Sequence, residues 1–167
     1  GTLFEVKGNV ETGHSGSTPT VNLSTGATIR CVGMTKKTGT SYLNWDGGTI
    51  QLTGNEPTID GFTQIRLGAN PCVLDATLLD GGSLNVNAQI VSDPALNGAD
   101  DGGLRVRGSQ ARAVFFRGSV GSYTFKGPIV VESGAALGIG DIVFTTQPVR
   151  LQAGAMPRVG GDNATNP

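Results

Sequence analysis

The chain has 167 residues, a net charge of −1 and charged side chains at 15% of positions, so no face carries the dense positive charge that nucleic-acid binding requires. Glycine is abundant at 27 residues, while hydrophobic residues at 37% and aromatics at 5% leave a thin, mainly aliphatic core. Low charge with high glycine disfavours long solvated helices and favours short strands joined by tight turns; no apolar run approaches the ~20 residues that a membrane helix needs.

The chain opens on Gly1 with no initiating Met and no secretory leader, as expected of a processed product or a piece of a longer precursor. Thr2-Leu3-Phe4-Glu5-Val6 alternates as a strand, with Leu3 and Glu5 on one face and Phe4 and Val6 on the other. A polar loop follows around Thr12-Gly13-His14-Ser15-Gly16-Ser17. Gly26-Ala27-Thr28-Ile29-Arg30-Cys31 then starts a phrase that recurs: small residues, mostly glycine, ahead of alternating apolar positions. Copies stand at Gly47-Gly48-Thr49-Ile50-Gln51-Leu52, Gly81-Gly82-Ser83-Leu84-Asn85-Val86 and Gly102-Gly103-Leu104-Arg105-Val106, with weaker ones at Gly134 to Ile139 and Gly154 to Met156. Cys72 to Leu79 and Gln110 to Phe116 read as strands because β-branched neighbours and a closing Asp-Gly-Gly turn disfavour helix. Loops fall at Asn55-Glu56-Pro57 and from Asp93 to Asp101, and a last short strand at Pro148 to Leu151. Residues 160–167 contain turn formers alone and read as a linker or disordered tail.

The first apolar residues of the copies, Ile29, Ile50, Leu84, Leu104, Leu137 and Met156, are spaced by 21, 34, 20, 33 and 19. Every second anchor recurs at roughly 54 residues, which divides residues 1–159 into about three units. A unit of that size cannot bury its own apolar edge, so stacking of successive coils must supply a shared core. The expected fold is all-β: a right-handed parallel β-helix, or β-solenoid, with Ile29, Ile50, Leu84, Leu104 and Leu137 on one core. An antiparallel sandwich or jelly roll is the alternative.

Ser122-Tyr123-Thr124 followed by Gly127-Pro128-Ile129-Val130-Val131-Glu132-Ser133-Gly134-Ala135-Ala136-Leu137-Gly138-Ile139-Gly140 resembles the autotransporter-associated β-strand repeat. Asp46-Gly47-Gly48-Thr49-Ile50-Gln51-Leu52-Thr53-Gly54 resembles the Asn-Gly-Gly-Thr-Leu-x-Leu strand that accompanies it. The resemblance covers about half the chain. It implies a passenger-type parallel β-helix, serving as a stalk or adhesive part of a secreted or surface bacterial protein.

Residues suited to chemistry are few. Asp46, Asp80 and Asp101 each precede glycine, where a short carboxylate caps a turn, so a catalytic acid pair is not expected from them. His14, the single histidine, sits in a Gly/Ser loop, and no serine-hydrolase elbow or phosphate loop is present. Cys31 and Cys72 are too few for a disulfide framework or zinc site; alternation places Cys31 beside Ile29 as a small core residue. Tyr42 and Trp45 alternate to opposite faces, and one of them could contact a sugar. No cofactor or metal is expected.

The expected function is that of a non-catalytic structural or adhesive module, secreted or on a cell surface, that joins neighbouring domains of a longer precursor or other copies of itself, end to end, into a fibre or surface layer. The joining surface is expected at the coil ends, on Leu3, Phe4, Val6, Val149 and Leu151, because uncapped strand edges pair with other strands. The alternative is a carbohydrate-binding or polysaccharide-degrading β-helix, such as a phage tailspike, with glycans as ligands.

Overall fold

In a computed structural model, residues 1–118, 122–139 and 147–159 are described; the tail 160–167 lies outside them. The chain winds through successive coils, each laying one strand on each of up to three sheets. The first coil contains β1 (Thr2–Glu5), β2 (Asn9–Thr12) and β3 (Thr20–Ser24). The second contains β4 (Ala27–Cys31), β5 (Gly33–Lys36) and β6 (Tyr42–Asp46), and the third β7 (Thr49–Leu52), β8 (Thr58–Ile59) and β9 (Gln64–Leu67). The fourth contains β10 (Cys72–Asp75), β11 (Leu84–Val86) and β12 (Gln89–Ser92), and the fifth β13 (Leu104–Arg107) and β14 (Val114–Phe116). β15 (Ile129–Val131) and β16 (Ala136–Ile139) follow in the sixth, and β17 (Val149–Leu151) and β18 (Met156–Val159) begin a seventh.

Sheet A stacks β1-β4-β7-β10-β13-β15-β17, sheet B stacks β2-β5-β8-β11-β14-β16-β18, and sheet C stacks β3-β6-β9-β12. Every strand pair in the three sheets is parallel. The fold is therefore a parallel β-solenoid of about six turns, and the antiparallel sandwich does not occur. The fifth coil reaches sheet C through a parallel bridge of Ile90 to Tyr123.

Register makes the core continuous. In sheet A, Phe4, Ile29, Ile50, Leu74, Val106, Val131 and Leu151 form one inward row, at steps of 25, 21, 24, 32, 25 and 20 residues. Ile50, Leu84, Leu104 and Leu137 are fully buried in one cluster, and Ile29 packs against it half-buried. Sheet C adds Leu23, Leu43, Trp45, Ile65 and Leu67 to that cluster. One Leu or Ile per strand position, buried in full, contributes about 1.5–3 kcal/mol, which is how a chain with so few aromatics closes a core.

The recurring glycine phrase marks two different corners. Gly26, Gly48 and Gly103 turn the chain into sheet A, whereas Gly82, Gly134 and Gly154 turn it into sheet B; all six have positive φ. Gly48, at φ 85°, shows why: a Cβ there would sit 2.5 Å from the Ser24 carbonyl oxygen and 2.8 Å from that of Ala27. The anchors follow the corners. Ile29, Ile50 and Leu104 lie in sheet A, while Leu84, Leu137 and Met156 lie in sheet B. The long 33- and 34-residue intervals are thus one full coil plus the passage from sheet A to sheet B. A unit of roughly 54 residues corresponds to about two coils; its two marked strands share sheet A in the first unit and sheet B in the third, and fall on different sheets in the second, where Leu84 is in sheet B and Leu104 in sheet A.

Candidate functional site

The outward row of sheet A is a polar ladder. Glu5, Arg30, Gln51, Asp75 and Arg107 are register partners in consecutive coils. Arg30 Nε donates to Gln51 Oε1 at 2.6 Å, Gln51 Nε2 donates to Asp75 Oδ2 at 3.0 Å, and Arg30 Nη1 lies 3.4 Å from Glu5 Oε1. In the next coil Glu132 receives Arg105 Nε and Arg107 Nε, each at 2.9 Å. The two guanidiniums, Arg107 first, hold the Glu132 carboxyl below its usual range, against the opposing effect of burial. Arg105 is in register with Val130, so it reaches Glu132 diagonally, two residues further along the next strand.

Two of the acids before glycine, Asp46 and Asp101, fasten the corner between sheets C and A, whereas Asp80 lies between β10 and β11, where its backbone carbonyl accepts from Arg112 Nη2 at 3.1 Å. Asp46 Oδ1 accepts from Asn70 N at 2.9 Å and Asn70 Nδ2 at 3.1 Å, one coil on. Asp101 is buried and accepts four bonds: Ser92 Oγ at 2.5 Å, Lys126 N at 2.7 Å, Gly103 N at 2.9 Å and Gly127 N at 3.0 Å. Its turn-capping role was visible in Asp101-Gly102-Gly103. Its grip on Lys126 and Gly127 in the following coil was not, because nothing local to Asp101 encodes that neighbour. Among the described residues, no group of three or more His, Cys, Asp and Glu side chains converges as a metal set would.

The two aromatics considered for sugar contact have other partners. Trp45 faces the core, 2% exposed, and its Nε1 donates to the Gly48 carbonyl at 3.3 Å. It offers no stacking surface, since its register partners Leu23 and Leu67 cover it on the core side. Tyr42 faces outward, and the Arg66 guanidinium sits 3.9 Å from its ring centroid. On sheet B, Phe115 also points outward but is 5% exposed: it lies over Gly138, with the Arg117 guanidinium 4.5 Å from its ring centroid.

Cys31 and Cys72 are both free and fully buried, in register with Leu52 and Leu104 respectively. Burial pushes the Cys31 thiol up to about 11 and the Cys72 thiol up to about 12, so neither is a nucleophile at neutral pH. His14 lies in the exposed loop ahead of β3, with Nδ1 3.1 Å from the Ser15 carbonyl oxygen.

The two ends differ from the middle. Among the described residues, β1, β2 and β3 each have one strand neighbour, as do β17 and β18. The inward row of sheet A emerges at both ends, where Phe4 is 60% exposed and Leu151 46%, with Val149 beside it at 36%. Leu3 is 50% exposed on the outer face, while Val6 is half-buried against the core. A cavity of about 300 Å³, lined by Val10, Thr12, His14, Val21, Ser41 and Phe62, lies where sheets B and C begin. No helix among the described residues is long and apolar enough to cross a membrane.

No protein family matches the chain, and no curated protein or solved structure matches it either. Gly47 and Gly48 form the corner before β7, and Gly134 the turn before β16.

Proposed function

We propose that the protein is a non-catalytic structural or adhesive module of a secreted or cell-surface protein, a length of solenoid stalk that acts by what it joins. The observation that carries this reading is the use made of its acids. Asp46, Asp75, Asp101 and Glu132 each accept hydrogen bonds from a neighbouring coil. A carboxylate engaged by donors from a neighbouring coil is a fastener; it is not placed to hand a proton to a sugar oxygen or to attack one. The burial of Trp45 and the covering of Tyr42 by Arg66 argue against a glycan-cleaving groove on sheet C. The extracellular setting rests on the likeness to autotransporter repeats.

The test is an assay for released reducing ends and unsaturated uronates over a panel of acidic and neutral polysaccharides. The expected result is no release above buffer, by the parent chain or by Asp46→Asn. Release by the parent that disappears in a folded Asp46→Asn protein would sink the structural reading and restore the polysaccharide-degrading one.

A further inference from the structure

In the third coil Arg66 is a cation fixed in position with no acid to pair with among the described residues. We propose that the outward face of sheet C, centred on Arg66, binds the carboxylate of an acidic glycan, with the amides around it taking the sugar hydroxyls. This rests on the reading of the protein as a module that acts by what it joins, and it names the class of partner.

Arg66 stands on β9 between the buried Ile65 and Leu67, so strand alternation turns it outward. Its guanidinium is fixed twice. Nε donates to Gln64 Oε1 at 2.9 Å, and the planar group lies 3.9 Å from the centroid of the Tyr42 ring, one coil back. Tyr42 is thus a backing plate for the cation and not a platform for a sugar. The two terminal nitrogens, Nη1 and Nη2, meet no acceptor among the described residues. By contrast Arg30, Lys37, Arg105 and Arg107 each have a glutamate within 3.4 Å. The register neighbours of Arg66 are Asn44 and Val91, and those of Gln64 are Tyr42 and Gln89, so the rows around the cation lack a carboxylate there. Asp46, the acid on β6, is turned to Asn70. A guanidinium whose plane is already fixed and whose Nη edge is open matches a carboxylate in two parallel bonds, with little side-chain freedom left to lose. The amides pair off in a way that leaves donors over. Asn44 Nδ2 donates to Asn22 Oδ1 at 2.9 Å and Gln64 Nε2 to Gln89 Oε1 at 3.2 Å. The amino groups of Asn22 and Gln89, both exposed, donate to nothing among the described residues. By strand spacing they lie about 10 Å and about 5 Å to either side of β9, the reach of a few sugar rings. Such donors suit hydroxyls, which a sugar acid supplies on every ring and an acidic peptide does not. One cation among neutral amides is too sparse for a nucleic acid.

The experiment is titration of the whole chain with oligogalacturonate, a sugar chain with a carboxylate on every ring, followed by calorimetry and by the Arg66 Nε–H resonance. The parent should bind, the resonance should shift, and binding should weaken as salt is raised. Arg66→Gln should weaken binding about tenfold, the worth of one charge-assisted hydrogen bond. Arg66→Lys should weaken it nearly as far, because an ammonium does not offer the two parallel donors. Lys7→Gln, which removes an exposed cation outside sheet C, should change nothing. Each variant is checked for β structure by circular dichroism, and the resonance shift reads the site in the parent where a variant fails to fold. A parent that does not bind, binding that Arg66→Gln leaves intact, or equal binding of a neutral galactan oligomer or of polyglutamate would overturn the site and leave the structural module standing. Shortening of the oligogalacturonate by the parent would overturn the non-catalytic reading instead.

Discussion

Asp101 shows how much one side chain can hold when coils stack. It ties Ser92, its own turn at Gly103, and the backbone at Lys126 and Gly127 in the next coil. Asp101→Ala should destabilise by about 3 kcal/mol, because it strands buried N–H donors that water cannot reach. A urea titration checks this; a loss below 1 kcal/mol would mean the donors find other partners. The buried thiols make a second prediction. Ordinary disulfide reagents at pH 8 should leave Cys31 and Cys72 unmodified in the folded protein and label both in urea. Burial raises these thiols from 9.0 to about 11 and about 12, and raises the Tyr123 hydroxyl from 10.0 to about 12. Each folded pKa lies above its unfolded value, so their contribution is fully present below about pH 9 and falls away as pH rises through 11 to 12. Thermal melts between pH 8 and 12 should therefore drop steadily on the alkaline side.

At the scale of the strand, period-2 alternation settles which side chains face the core. In β11, Leu84 and Val86 point inward and Asn85 outward, where its Oδ1 accepts from Arg117 Nε at 3.0 Å. Leu84→Ala should cost about 2–5 kcal/mol and Asn85→Ala about 1 kcal/mol or less. Equal losses in a denaturant titration would contradict that phase. Tyr42-Leu43-Asn44-Trp45 obeys the same rule, which put its two aromatics on opposite faces without saying which face was inside. The strand alone carries no mark of that choice: Leu23 and Leu67, 22 residues away on either side of Trp45, supply it. Phe115 breaks the rule in a different way, outward by phase yet buried, because Gly138 in the next coil leaves space for its ring.

At the scale of the molecule, each coil touches chiefly the coils before and after it, so stability should vary along the axis. Amide exchange should be slowest in β7 and β10, which have strand neighbours on both sides, and fastest in β1 and β17, which have one. Uniform protection from end to end would show a single cooperative block instead. The existence of strands, their inward positions and the stacked-coil architecture were all legible in the glycine phrases and the apolar alternation, since both depend on residues within six of one another. The number of residues per coil was not. Equal-looking phrases serve the corner into sheet A and the corner into sheet B, and their spacing therefore alternates between short and long arms. Which anchors share a sheet, which acid fastens which coil, and that Phe4 and Leu151 end the same row are set by parallel backbone pairing between residues 20 to 32 apart. Turn lengths and loop insertions decide that pairing, and a strand of four residues holds no record of the loop that will bring its neighbour alongside.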